Sequence, residues 1–85
     1  MVLTFNNFQE KINRNLIEKV LLTSGFKQVP GEYNAFSKKI NGKKYSVDVR
    51  QSYIKFYINK KLIDTITEHE ANHYKFLEQL VEFTS

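Results

Sequence analysis

The first apolar residues of this chain recur at helical spacing: Phe8, Ile12, Leu16 and Val20, continued in register by Thr23 and flanked by Ile17 and Leu21. Asn7 followed by Glu10 is an N-cap pair, so the pattern predicts a helix from about Phe8 to Ser24. Gly25 is placed to take the left-handed residue that ends a helix. Phe26 after it supplies the hydrophobic contact of a Schellman stop.

The period then shortens to two. Phe26 to Val29 reads as a short extended piece, and Pro30-Gly31 turns the chain. Asn41-Gly42 lies between two alternating segments. That dipeptide favours a two-residue type I′ hairpin turn because both central residues need positive φ. The turn sets the register: Ile40 faces Lys43, Lys38 faces Tyr45, Phe36 faces Val47 and Asn34 faces Val49, with Phe36, Tyr45, Val47 and Val49 on the core side. Gln51-Ser52 makes a second turn. Tyr53 to Ile58 alternates cleanly, with Ile54, Phe56 and Ile58 on the apolar side.

Asn59-Lys60 turns the chain again, and the pattern leaves Lys61 to Ile66 unassigned. Thr67 and Glu70 form a capping-box pair ahead of a terminal helix from about Glu68 to Phe83, with Tyr74, Leu77, Leu80, Val81 and Thr84 as its inward stripe. One apolar stripe per helix and one apolar face per strand imply an α+β fold over residues 1–85. The expected domain is a single two-layer α-β-β-β-α unit, an antiparallel sheet with both helices on one face.

Composition narrows the chemistry. Eighty-five residues, 41% of them hydrophobic, suit one modest core. The longest purely aliphatic run, Val20-Leu21-Leu22, is far short of the roughly 18 apolar residues of a membrane span. Met1 to Phe5 lacks the basic start and long apolar stretch of a signal peptide, so the expectation is a soluble cytoplasmic protein with no membrane partner. The absence of cysteine excludes disulfides, thiolate metal sites and a cysteine nucleophile.

Thirteen Lys plus Arg against nine Asp plus Glu give a formal charge of +4. Nine of the thirteen basic residues lie between Lys27 and Lys61, whereas Glu68, Glu70, Glu78 and Glu82 crowd the end of the chain. The basic middle points one face at an anionic partner, although a charge of this size also serves solubility.

His69-Glu70-Ala71-Asn72-His73 matches H-E-x-x-H, in which two His on one helical face hold zinc and the Glu acts as general base. Only twelve residues follow it, Gln79 stands where one protease class has a third His, and Glu70 already serves the capping box. The expectation is no metal, no cofactor and no catalytic residue. Ser37, Ser46 and Ser52 have no His in the sheet region to act as base. Asp48 and Glu32, drawn as a nuclease acid and base, sit among basic residues that more often engage such carboxylates in salt bridges.

The element order, with Gly25-Phe26 and Gly31-Glu32-Tyr33-Asn34-Ala35-Phe36, resembles HicA-type toxins. These are small RNA-cleaving proteins of the double-stranded-RNA-binding-like fold, in which a helix ends in Gly-Phe before a strand and a Gly-Ser-His-x-x-aromatic turn. The resemblance covers Leu16 to Phe36. It implies the fold and speaks against the activity, because Tyr33 stands where the family has its catalytic His. The last helix has Lys75 alone where double-stranded-RNA-binding domains carry a Lys-Lys-x-x-Lys cluster.

The register also defines the opposite face. There Lys39 faces Lys44, Ser37 faces Ser46, Ala35 faces Asp48 and Tyr33 faces Arg50, and the third strand adds Tyr53, Lys55 and Tyr57. Like charges directly opposite one another cost stability, so Lys39 and Lys44 point to an anionic partner. Rings interleaved with Lys and Arg on an open sheet stack bases and neutralise phosphates, although Tyr and Lys are also common on exposed strands.

The reading is a non-enzymatic binding domain that contacts RNA or DNA through Tyr33, Tyr53 and Tyr57 as packing rings, with Lys39, Lys44, Arg50 and Lys55 on phosphates. The alternative is a protein-binding inhibitor or accessory protein of a mobile element, phage or plasmid. It would use the same face on an anionic protein surface or as a homodimer interface.

Overall fold

A computed structural model of the chain describes residues 14–67 and 73–85. The elements run α1 (Arg14–Thr23), β1 (Lys27–Gln28), β2 (Ala35–Ile40), β3 (Lys43–Val49), β4 (Tyr53–Ile58), β5 (Lys61–Thr67) and α2 (His73–Thr84). All the strands form one antiparallel sheet in the order β1-β2-β3-β4-β5. This is the α+β fold expected, with a five-stranded sheet. The short extended piece after Phe26 pairs as β1, and the unassigned segment after Lys60 pairs as β5.

Local chemistry accounts for each boundary. Gly25 has φ of 97°, and the amides of Gly25 and Phe26 donate to the carbonyls of Leu22 and Leu21 at 3.1 and 2.9 Å. This is the doubly bonded Schellman stop, closed by apolar contact as Phe26 and Leu21 are both buried. Asn41 and Gly42 have φ of 52° and 82°, the pair of left-handed residues that a type I′ turn requires. The β2–β3 register follows as expected, with Ile40 opposite Lys43, Lys38 opposite Tyr45 and Phe36 opposite Val47.

One face of the sheet holds Phe36, Val47, Val49, Ile54, Phe56 and Ile66, each no more than 1% exposed. Ile17 and Leu21 of α1, Phe76, Leu80 and Phe83 of α2, and Phe26 complete a single buried cluster with them. Phe56 is its hub, with ring centroids 6.2 Å from Phe76 and 5.0 Å from Phe83. Phe83 also meets Tyr45 edge to face at 5.1 Å.

Both helices turn their apolar stripes differently from the expectation. In α1 the buried residues are Ile17 and Leu21, the flank of the expected stripe, while Leu16 is 43% exposed and Thr23 is exposed. In α2 Leu80 is buried as expected, but its buried companions are Phe76 and Phe83, whereas Tyr74 and Val81 are 82% and 67% exposed. Each helix offers two stripes at spacings of three and four. In α2 the phase that brings Phe76 and Phe83 onto Phe56 removes more apolar surface from water. The helical expectations for Phe8 to Asn13 and Glu68 to Asn72, the Asn7–Glu10 cap and the Glu70 half of the capping box lie outside the described residues.

Candidate functional site

Strand alternation places a second set of side chains opposite the core. On this outer face the cross-strand rows are Ser37, Ser46 and Tyr57, then Ala35, Asp48, Lys55 and Thr65, with Lys39 opposite Lys44 at one end. None of these residues is buried, in contrast to the closed inner face. Of the residues expected here, Lys39, Lys44, Tyr53, Lys55 and Tyr57 share the face, held by β2, β3 and β4.

Tyr53 and Tyr57 are four residues apart on β4, so their Cα atoms stand about 13 Å apart along the strand. They are separate platforms with Lys55 between them on the same side. The ammonium of Lys55 lies 4.7 Å from the centroid of the Tyr53 ring, a cation–π contact that presents a ring and a positive charge together. Arg50 continues the face beyond β3, where its amide donates to the Tyr53 carbonyl at 2.9 Å across the Gln51-Ser52 turn.

Arg50 is not a free cation. Its Nε donates to Asp48 Oδ1 and Oδ2 at 3.2 and 3.3 Å, and the Asp48 side chain, 21% exposed, is the more buried partner. Asp48 also lies opposite Lys55 on β4. The carboxylate therefore tempers the positive charge at this end of the face, in the salt-bridge role the sequence expected for it.

Tyr33 does not join the group. The β2–β3 ladder ends at Ala35 opposite Asp48, so Tyr33 has no partner across from it in the sheet and sits in the loop before β2. Its ring lies under the guanidinium of Arg14, 4.1 Å from centroid to Cζ. Arg14 donates to the Tyr33 carbonyl at 2.7 Å, to Asn34 Oδ1 at 2.7 Å and to the Val49 carbonyl at 3.2 Å, and pairs with Glu18 at 3.5 Å. The planar fork ties α1 to the loop and to the end of β3. No local spacing signals this contact, because Arg14 and Tyr33 are nineteen positions apart.

The turns bring further lysines to the sheet's end, which strand alternation alone does not group with the face. Lys43, Lys60 and Lys61 are exposed beside the Asn41-Gly42 and Asn59-Lys60 turns, at the same end as Lys39 and Lys44. Lys38, on the other side of β2, is already engaged, donating from Nζ to the Ser24 carbonyl at 2.7 Å.

Residues 69–72 of the H-E-x-x-H match lie outside the described residues, and His73 opens α2. Among the described residues no group of three or more His, Asp or Glu gathers as a metal site. Among them, too, no helix is long and apolar enough to cross a membrane. No protein-family model, curated protein or solved structure matches the chain.

Proposed function

We propose that this chain is a non-enzymatic binding domain that contacts single-stranded nucleic acid through the outer face of its sheet. The observation that carries the reading is the grouping of Tyr53 and Tyr57 with Lys39, Lys44 and Lys55 on the face opposite the core. Rings fixed on a strand lose little conformational freedom when a base stacks on them, and the neighbouring lysines neutralise the phosphates of the same strand. Tyr53 and Tyr57 take bases, Lys39, Lys44 and Lys55 take phosphates, and Arg50 contributes less because Asp48 holds it. Tyr33 packs with Arg14 at the edge of the loop and takes no base.

A second reading has its own support: Leu62 and Ile63 on β5, a strand at the sheet's edge, are 48% and 50% exposed, and Leu62 lies opposite Tyr57. An apolar strip there suits a protein partner, as in an inhibitor or accessory protein, or a second copy of the chain.

Binding of labelled single-stranded RNA and DNA, followed by fluorescence anisotropy at about 50 mM salt, separates the two, because electrostatic contacts are least screened there. The proposal expects saturable binding that Tyr57→Ala weakens by about 1–3 kcal/mol, the contribution of one stacked base. No binding of either strand, together with self-association on size-exclusion chromatography, assigns the face to protein contact.

A further inference from the structure

The sheet ends in two type I′ turns side by side, Asn41-Gly42 between β2 and β3 and Asn59-Lys60 between β4 and β5. Two strand spacings separate the turn centres, about 10 Å. Lys39, Lys43, Lys44, Lys60 and Lys61 all lie in or beside these turns and all are exposed. No carboxylate occurs in residues 38–45 or 57–62 to offset them.

Three of these lysines are placed at a cost the fold does not require. Lys39 and Lys44 are directly opposite one another on the outer face, where like charges repel. Lys60 has φ of 71° at the second turn position, where a side chain is strained and glycine is relaxed. Natural sequences break local rules of this kind where a site needs the residue. A lysine in the strained position projects its charge from the tip of the turn, which glycine would not do.

The two turns are also locked to each other. The amide of Lys44 donates to Asn59 Oδ1 at 3.0 Å, and the amide of Asn59 donates to the Lys44 carbonyl at 2.8 Å. The lysines are thus mounted on a rigid base, adjacent to the row that contains Tyr57.

We infer that this lysine-bearing end is a phosphate-backbone grip: a strand stacked on Tyr57 runs off the face across Lys44 and Lys39 and wraps round the end of the sheet to Lys60 at the turn tip and to Lys43 and Lys61, which alternate onto the side of Ile40 and Ile58. The inference rests on the nucleic-acid reading above and names where that strand leaves the face. It makes the turn lysines, rather than Arg50, the main source of the salt dependence.

The test compares wild-type protein with a Lys43→Gln, Lys60→Gln, Lys61→Gln triple variant and with Lys60→Gly, titrating one single-stranded oligonucleotide at several salt concentrations. The slope of log affinity against log salt should become shallower by about 2 in the triple variant, from roughly 0.7 per lost phosphate contact. Lys60→Gly should raise the melting temperature and yet weaken binding, a pair of opposite signs that loss of structure cannot produce. If wild-type protein binds and the variants keep its slope and affinity, the grip is wrong while the binding face stands. If wild-type protein shows no salt-dependent binding, both readings fall.

Discussion

Lys44 and Asn59 hold each other across the head of β3 through two hydrogen bonds, one accepted by the Asn59 side chain at 3.0 Å and one donated by its amide at 2.8 Å. Asn59 is also left-handed, with φ of 51°, a conformation asparagine tolerates better than most residues. One residue therefore sets the turn and fastens it to the neighbouring hairpin. Asn59→Ala loses the acceptor and the tolerance together and should destabilise the fold by about 1–2 kcal/mol. Asn59→Gly loses only the acceptor and should cost less. Urea denaturation of the two variants checks the order.

Gly42 tests the hairpin on which the outward-facing set depends. Its φ is 82°, and a Cβ built there meets nothing within 4 Å, so a side chain costs conformational strain and not a clash. Gly42→Val should lower stability by about 1 kcal/mol or more. An unchanged melting temperature would place the turn, and the register with it, elsewhere.

Phe56 and Val81 test the packing. Phe56 is fully buried and touches the rings of both Phe76 and Phe83, so Phe56→Ala should cost about 3–5 kcal/mol, a large share of the 5–15 kcal/mol that keeps a typical domain folded. Val81, 67% exposed, should tolerate Ala within about 0.5 kcal/mol. Comparable losses at both positions would restore the other stripe of α2.

What could be read from the sequence follows the range of the interactions. The hairpin register was legible because Asn41-Gly42 encodes it locally, and the Schellman stop because Gly25-Phe26 does. The helix stripes were not, since spacing alone permits two phases; in α2 Phe56, far away in sequence, selects the one that carries Phe76 and Phe83. β5 escaped because a register shift between Phe56 and Tyr57 breaks its alternation: Tyr57 faces Leu62 while Phe56 faces Asp64. Within the candidate face, alternation was enough to group Tyr53, Lys55 and Tyr57, whereas the withdrawal of Tyr33 depends on Arg14 from another element.

Asp48 gives the binding face a test of opposite sign. Asp48→Asn removes a negative charge from the face and releases Arg50 from its ion pair. Affinity for single-stranded nucleic acid should rise and its salt slope should steepen, by roughly 0.7 if Arg50 gains one phosphate. Weaker binding in this variant would mean that the ion pair is part of the site. The anisotropy titration reads either result.

The most direct test of the binding face is a residue-by-residue map: amide chemical shifts of labelled protein titrated with a short single-stranded oligonucleotide at about 50 mM salt, where charge contacts are little screened. The account predicts saturable shifts at Lys39, Lys44, Ser46, Tyr53, Lys55 and Tyr57, extending to Lys60 and Lys61, with the amides of Ile17, Leu21, Phe76 and Leu80 unmoved. Shifts concentrated on α1 and α2, or none at saturating oligonucleotide, would contradict it.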